Sequence, residues 1–433
     1  MIYQLSNMSI SNSNLNNNEE QEFNKNSLEF DPSSIPKIEL NKQEFSLFQI
    51  DALKAIAMVL VIMDHSFTHQ FLHQYGAPFW ERIAIPIFMI IMGFNIGLSF
   101  RKRGEMSLEE LYSWQYFEAK LRRYMIPYLL LYFIHGIIRL IVYTLNIPVN
   151  SVYFYDEPIY RFLGYTFFFG PGLWFIPVIF GSILIFPLIY YFYTKFPTLA
   201  VIVTFEIELL THGLAFALLA LNGFVFNFVL LFFLYSLSSM LSAVGIGLWL
   251  STDYRWNSLR NVFLWIIFPI GILYMVLDFK NMLPFNFPFG DYHMFYFMYS
   301  GGLFMIAMRL FPKNPQGKLA DFIRLVSKAT YHILLAQIFY FSIIYQFFLH
   351  MNDGIPVTPD VFDGNPINYL WYYPLNLIIT FSIGIVWYRA ETHFHQKRKN
   401  NVIYQQIYQI LIKLSFIAFI LWLVGKVLFL FFA

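Results

Sequence analysis

From residue 47 onward the chain alternates long apolar runs with short polar links. Runs of spanning length lie at 52–71, 83–100, 124–146, 170–193, 198–221, 224–250, 261–279, 290–311, 329–349, 367–388 and 402–431. Each is close to the roughly 20 residues a helix needs to cross a bilayer. Helices satisfy their own backbone, which hydrocarbon demands. The pattern predicts an all-α polytopic membrane protein with about eleven spans. Residues 1–46 break it: they are rich in Asn, Ser and acidic residues and read as a disordered tail. No cleavable signal peptide stands out in that stretch.

Charge placement orients the spans. Links counted as inside from a cytoplasmic N-terminus carry Arg101, Lys102, Arg103, Lys120, Arg122 and Arg123, then Lys195, then Arg255 and Arg260. Further inside links carry Arg309, Lys313, Lys318, Arg324 and Lys328, and then Arg389, Lys397, Arg398 and Lys399. The alternate links hold little more than Arg82, Arg161 and Lys280. Positive residues stay inside, so the N-terminus is expected in the cytoplasm and the C-terminus outside. The expected location is the plasma membrane. No internal repeat of the kind that marks inverted-repeat transporters is visible.

Composition adds exclusions. Of 433 residues, 58% are hydrophobic and 12% charged, with a mean hydropathy of +0.55, where a soluble domain has about 25% charged residues. A net charge of +2 points to no nucleic-acid partner. With no cysteine, disulfides, thiolate catalysis and zinc–cysteine sites are excluded.

Polar residues inside the runs are expensive and default to function. In the first run, Lys54 and His65 are eleven residues apart (54 to 65), about three turns, so they share a face and lie roughly 16 Å apart along it. Asp64 is one step round the helix, so an Asp64–His65 dyad is not implied. Depth sorts the rest into two layers. An inner one holds Lys54, Lys120, Arg122, Arg123, Arg389 and Glu391. An outer one holds His65, His135, Arg139 and Trp174. The inner cations suit phosphates, although basic residues also flank inside helix ends for topological reasons. His65 suits proton transfer near neutral pH, or a hydrogen bond inside the bundle. His65, His69 and His73 recur every four residues, but no carboxylate joins that face, and no metal site is expected. Arg139 needs a partner at depth, either Glu206 or Glu208, or a polar ligand near His65. For Glu391 the plain alternative is a salt bridge to a neighbouring arginine at the rim.

Several segments resemble a known family. IDALKAIAMVLVIMDH (Ile50–His65) resembles the first helix of the acyltransferase family 3 integral-membrane enzymes, in which an arginine precedes a histidine. Lys54 stands where that arginine would be. IPIFMIIMGF is similar to the family's next helix, with Met92 for a serine. KLRRYMIPYLL matches its paired basic residues through Lys120 and Arg123. GPGLWFIPVIF supplies Trp174, SKATYHILLAQIFYF has Gln337 for a histidine, and WYRAETHF supplies Glu391, with His393 for a proline. The resemblance runs in order over 48–394. It implies a ten-helix acyltransferase domain at 47–394, followed by a basic linker and one extra transmembrane helix at 395–433.

By that resemblance the function would be transfer of an acyl group, acetyl in the simplest case, from a cytosolic acyl-CoA to a hydroxyl of a surface or lipid-linked glycan. His65 would be catalytic and Lys54, Lys120 and Arg123 would hold the donor. His135, Arg139, Trp174 and Glu391 would serve the acceptor or the structure. No cofactor would be bound beyond the acyl-CoA co-substrate. Alternatives stay open: a heparan-glucosaminide N-acetyltransferase-like enzyme, a transporter or flippase for a sugar-linked lipid, and a catalytically dead sensor suggested by Lys54, Met92 and Gln337. A homo-oligomer is left open too.

Overall fold

A computed structural model describes residues 47–432, apart from 68, 81, 105, 148–164, 169, 222–235, 256, 281, 284–291 and 345–365. The expected N-terminal tail, Arg161 and the first half of the 224–250 run lie outside the described residues. Among the described residues the fold is all-helical. Its helices of seven or more residues are α1 (Phe48–Asp64), α2 (Ala84–Arg101), α3 (Trp114–Lys120), α4 (Ile126–Thr144), α5 (Phe175–Lys195), α6 (Pro197–Leu221), α7 (Leu241–Thr252), α8 (Val262–Phe279), α9 (Met294–Leu310), α10 (Lys318–Ile343), α11 (Pro366–Arg398) and α12 (Val402–Phe432). A π-helical turn, Leu121–Met125, joins α3 to α4.

Where its residues are described, each predicted run meets a helix. Among the described residues, seven helical stretches are by length and composition apolar enough to cross a membrane: Ala84–Arg101, Leu108–Thr144, Phe175–Lys195, Pro197–Leu218, Leu259–Phe279, Leu370–Arg398 and Val402–Leu428. The protein is therefore an integral multi-pass membrane protein. The four helices left over are α1, α7, α9 and α10. They are short, like the 12-residue α7, or carry charge, like α1 with Asp51 and Lys54. The reason is where they pack. All of α7 from Leu241 to Leu250 is buried except half-buried Trp249, whereas only 17% of the best window of Leu370–Arg398 is buried. A helix surrounded by protein has no need to match the bilayer in length or apolarity; one facing lipid does.

The central helices meet at small residues, as lipid-embedded helices commonly do. A Cβ added at Gly247 on α7 would run into the carbonyl oxygen of Ile90 on α2, and one at Gly93 on α2 into the carbonyl of Val244. Gly384 on α11 lies equally close to the backbone of Ile333 on α10.

The α6–α7–α9 region holds a fully buried carboxylate. Glu208 on α6 accepts the backbone N–H of Ser242 at 2.9 Å. It thereby satisfies one of the free donors at the start of α7, a helix that begins inside the bundle.

These contacts set a stability test. Gly247→Ala should lower stability by about 1–3 kcal/mol, the usual range for overpacking. Gly213→Ala, on α6 with nothing within 4 Å of the new methyl, should be neutral or slightly stabilising. Thermal unfolding of the purified protein in detergent separates the two.

Candidate active site

Helices α1, α4 and α10 run parallel to one another, and α11 runs antiparallel to them. Pair by pair, Asp51 meets Ser327 and His65 meets Phe341 between α1 and α10. Between the start of α4 and α10, Tyr331 Oη donates to the Tyr124 carbonyl at 2.9 Å, and His135 meets Ser342. On α11 the order reverses: Asn376 lies with Tyr340, and Glu391 with His332. Polar groups therefore gather in two layers, ten residues apart along α10 (331 to 341), or roughly 15 Å.

The first layer is basic. Lys54 lies within electrostatic reach of Arg123 and of Asp51. Lys120 Nζ sits 5.5 Å from the Tyr116 ring and 6.0 Å from that of Tyr124. The Arg123 guanidinium, exposed, lies 5.4 Å from the same Tyr124 ring. Lys120 and Arg123, three residues apart at the junction of α3 with the π-turn, both lie against the Tyr124 ring, and π-turns of this kind recur at functional sites. Beneath them, Ser327 Oγ donates to the buried Asp51 carboxylate at 2.5 Å.

Glu391 belongs to this end, and its expected arginine partner is corrected. Its Oε2 lies 2.7 Å from His332 Nε2 and its Oε1 3.3 Å from His395 Nε2, while Arg389, two residues earlier, is exposed. His395 is four residues on and shares the helix face, a spacing that was readable in the sequence. His332 comes from α10, and no local signal announced it.

The second layer surrounds His65. Here too an expectation is overturned: Asp64 Oδ2 lies 3.3 Å from His65 Nδ1. Helix α1 stops at Asp64, and His65 is its C-cap, with φ −82° and ψ −2°. Adjacent side chains at a helix end escape the 100° rotation that keeps them apart inside one. Both are 18% exposed, sheltered yet reachable. Next to them the Asn376 amide donates to Ser66 Oγ at 2.9 Å and accepts from Tyr340 Oη at 2.8 Å, joining α1, α10 and α11.

His135 is buried, 3.2 Å from Ser342 Oγ and packed against Phe339 and Phe168. Gln337, at the position of the family histidine, donates to the Pro171 carbonyl at 2.8 Å. That bond holds the segment leading to Trp174, which stacks on Tyr292 at 5.4 Å. Two atoms of this layer, His135 Nδ1 and Gln337 Oε1, are buried with no hydrogen-bond partner among the described residues, as befits a site that takes a polar ligand. Arg139 lies over Phe167 at 5.2 Å. Of its two expected carboxylate partners, Glu208 is engaged with Ser242 and lies 4.0 Å from His212, and Glu206 is exposed. No cluster of metal ligands occurs among the described residues; the His69 side chain lies outside them.

The acyltransferase domain that defines acyltransferase family 3 matches residues 47–389, and the chain belongs to that family. It is thus a membrane acyltransferase rather than a transporter, taking an acyl group from a donor to an acceptor. No curated protein and no solved structure matches the chain significantly. The matched segment ends just before Glu391 and excludes α12.

The Asp51–Ser327 contact is open to a double-mutant cycle. Asp51→Asn and Ser327→Ala should show a coupling of about 1.5–3 kcal/mol in unfolding experiments, as expected for a hydrogen bond to a charged group.

Proposed function

We propose that the protein moves an acyl group, acetyl in the simplest case, from a cytosolic acyl-CoA to a hydroxyl of a surface or lipid-linked glycan. One observation carries this reading: a cationic layer and a histidine–carboxylate layer lie one above the other along the same face of α10. The donor's phosphates would rest on Lys54, Lys120 and Arg123, and its thioester would reach up toward His65. Roughly 15 Å between layers suits a long, thin donor whose charge is at one end and whose reactive bond is at the other.

The chemistry follows from the His65 environment. A carboxylate at Nδ1 favours the tautomer with a proton there, leaving Nε2 as base. Nε2 takes the acceptor's hydroxyl proton as the oxygen attacks the thioester carbonyl. A C–O bond forms, the C–S bond breaks, and the proton passes from imidazolium to the departing thiolate. His135 Nδ1 and Gln337 Oε1 are available to a hydroxyl-rich acceptor, and the Trp174–Tyr292 pair provides an aromatic wall beside it. The charge bias of the links supports a cytoplasmic N-terminus and a donor end facing the cytosol, with the plasma membrane as the site of action.

His65→Ala should abolish turnover by about 10²–10⁴-fold while leaving acetyl-CoA binding intact. Arg123→Ala should weaken that binding about tenfold, the loss of one charge-assisted phosphate contact. Acetyl-CoA hydrolysis and equilibrium binding by the purified protein test both. Turnover surviving His65→Ala would remove His65 from the mechanism. Because the chain has no cysteine, a single cysteine introduced at Lys102 or at Tyr75 reports sidedness. A membrane-impermeant thiol reagent applied to intact cells should label the Tyr75 position and spare the Lys102 position.

A further inference from the structure

Helix α12 lies beyond the matched domain but against its basic end. It packs on the π-turn Leu121–Met125 and on α4, with Phe416 edge-on to Trp114 and Trp422 edge-on to Phe180. Among these apolar contacts is one polar bond: Tyr408 Oη donates to Glu118 Oε1 at 2.8 Å. Tyr408 is itself buried and gripped. The Arg398 guanidinium sits 3.7 Å from its ring centroid, and the His395 ring meets it edge-on at 5.8 Å.

The position of Glu118 gives the bond a consequence. It precedes Arg122 by four residues and Arg123 by five, the spacings that share a face in an α-turn and in a π-turn respectively. The helix changes from α to π at this point, so both cations follow Glu118 by about one turn. Glutamate ahead of arginine is also the favourable order for such a pair. A Glu118 carboxylate at liberty would be an internal rival to any anionic ligand of the basic layer.

We infer that Tyr408 sequesters the Glu118 carboxylate and so keeps the basic layer open for the donor's phosphates. Tyr408 is a positioning residue, and α12 is a working part of the donor site rather than an appendage. The inference rests on the donor assignment proposed above.

The test uses the full-length protein in detergent, with acetyl-CoA as the probe. Binding, KM and kcat for acetyl-CoA hydrolysis are compared in wild type, Tyr408→Phe, Glu118→Gln and the double variant. Tyr408→Phe should weaken binding and raise KM about tenfold, with kcat unchanged, since one cation is neutralised from within. Glu118→Gln, which keeps an acceptor for Tyr408, should bind like wild type. The double variant should recover wild-type KM, because no charge is left to compete. If Tyr408 only supports the fold, the double variant stays as weak as Tyr408→Phe, and the inference fails. Unchanged binding in Tyr408→Phe overturns it while leaving the donor assignment standing. No saturable binding by wild type overturns both together. Glu118→Asp breaks the same bond from the other side without touching α12. If Tyr408→Phe does not fold, a raised KM in Glu118→Asp supports the inference, and an unchanged one contradicts it.

Discussion

One bond sets the register on which both polar layers depend. Ser327 Oγ donates to the buried Asp51 carboxylate at 2.5 Å, locking the start of α1 to α10. A carboxylate in an apolar bundle is costly without a partner, so α1 cannot slide along α10 without losing it. With Asp51 fixed, Lys54 falls beside Arg123 at one end and His65 meets Phe341 at the other. The far end is fixed again by the Asn376 amide on Ser66. A helix pinned at both ends is a rigid ruler between a charge-binding site and a proton-transferring one, and such rigidity is what positioned chemistry requires.

The division between inner and outer helices follows from the same cost. Helices that hold the site, α1 and α10 above all, have polar partners on every side that matters and are free to be short or charged. Helices such as α8 and α12 turn to the surroundings and are long and apolar, with buried shares of 22% and 28% over their best windows. Close crossings at Gly93, Gly247 and Gly384 bring backbones together and leave little freedom to the layers between them. Function and fold are thus drawn from one set of contacts: the groups that are expensive to bury are the ones the site uses.

Much of this was legible in the sequence. The helix positions were, because hydrophobic runs of spanning length report backbone requirements directly. The family was, because motifs around Lys54, His65, Lys120, Arg123, Trp174 and Glu391 occur in order. Which helices are enclosed by protein and which face outward was not legible, because hydropathy cannot tell a buried helix from a lipid-facing one. The pairings were largely invisible. His332 with Glu391, Asp51 with Ser327 and Asn376 with Ser66 join residues 59, 276 and 310 positions apart, and no local periodicity encodes such partners. The nearness of Asp64 to His65 was hidden for a different reason: helical rotation separates neighbours only inside a helix, and α1 ends at Asp64.

The central claim is that one donor molecule spans both layers. Photoaffinity labelling tests it directly, using two acyl-CoA probes that differ only in where the photoreactive group sits. An adenine-linked group should label the segment around Tyr116–Tyr124. An acyl-linked group should label the ends of α1 and α10, near His65 and Phe341. Both labels appearing at the basic end, or both at the His65 end, would contradict a donor threaded between the layers.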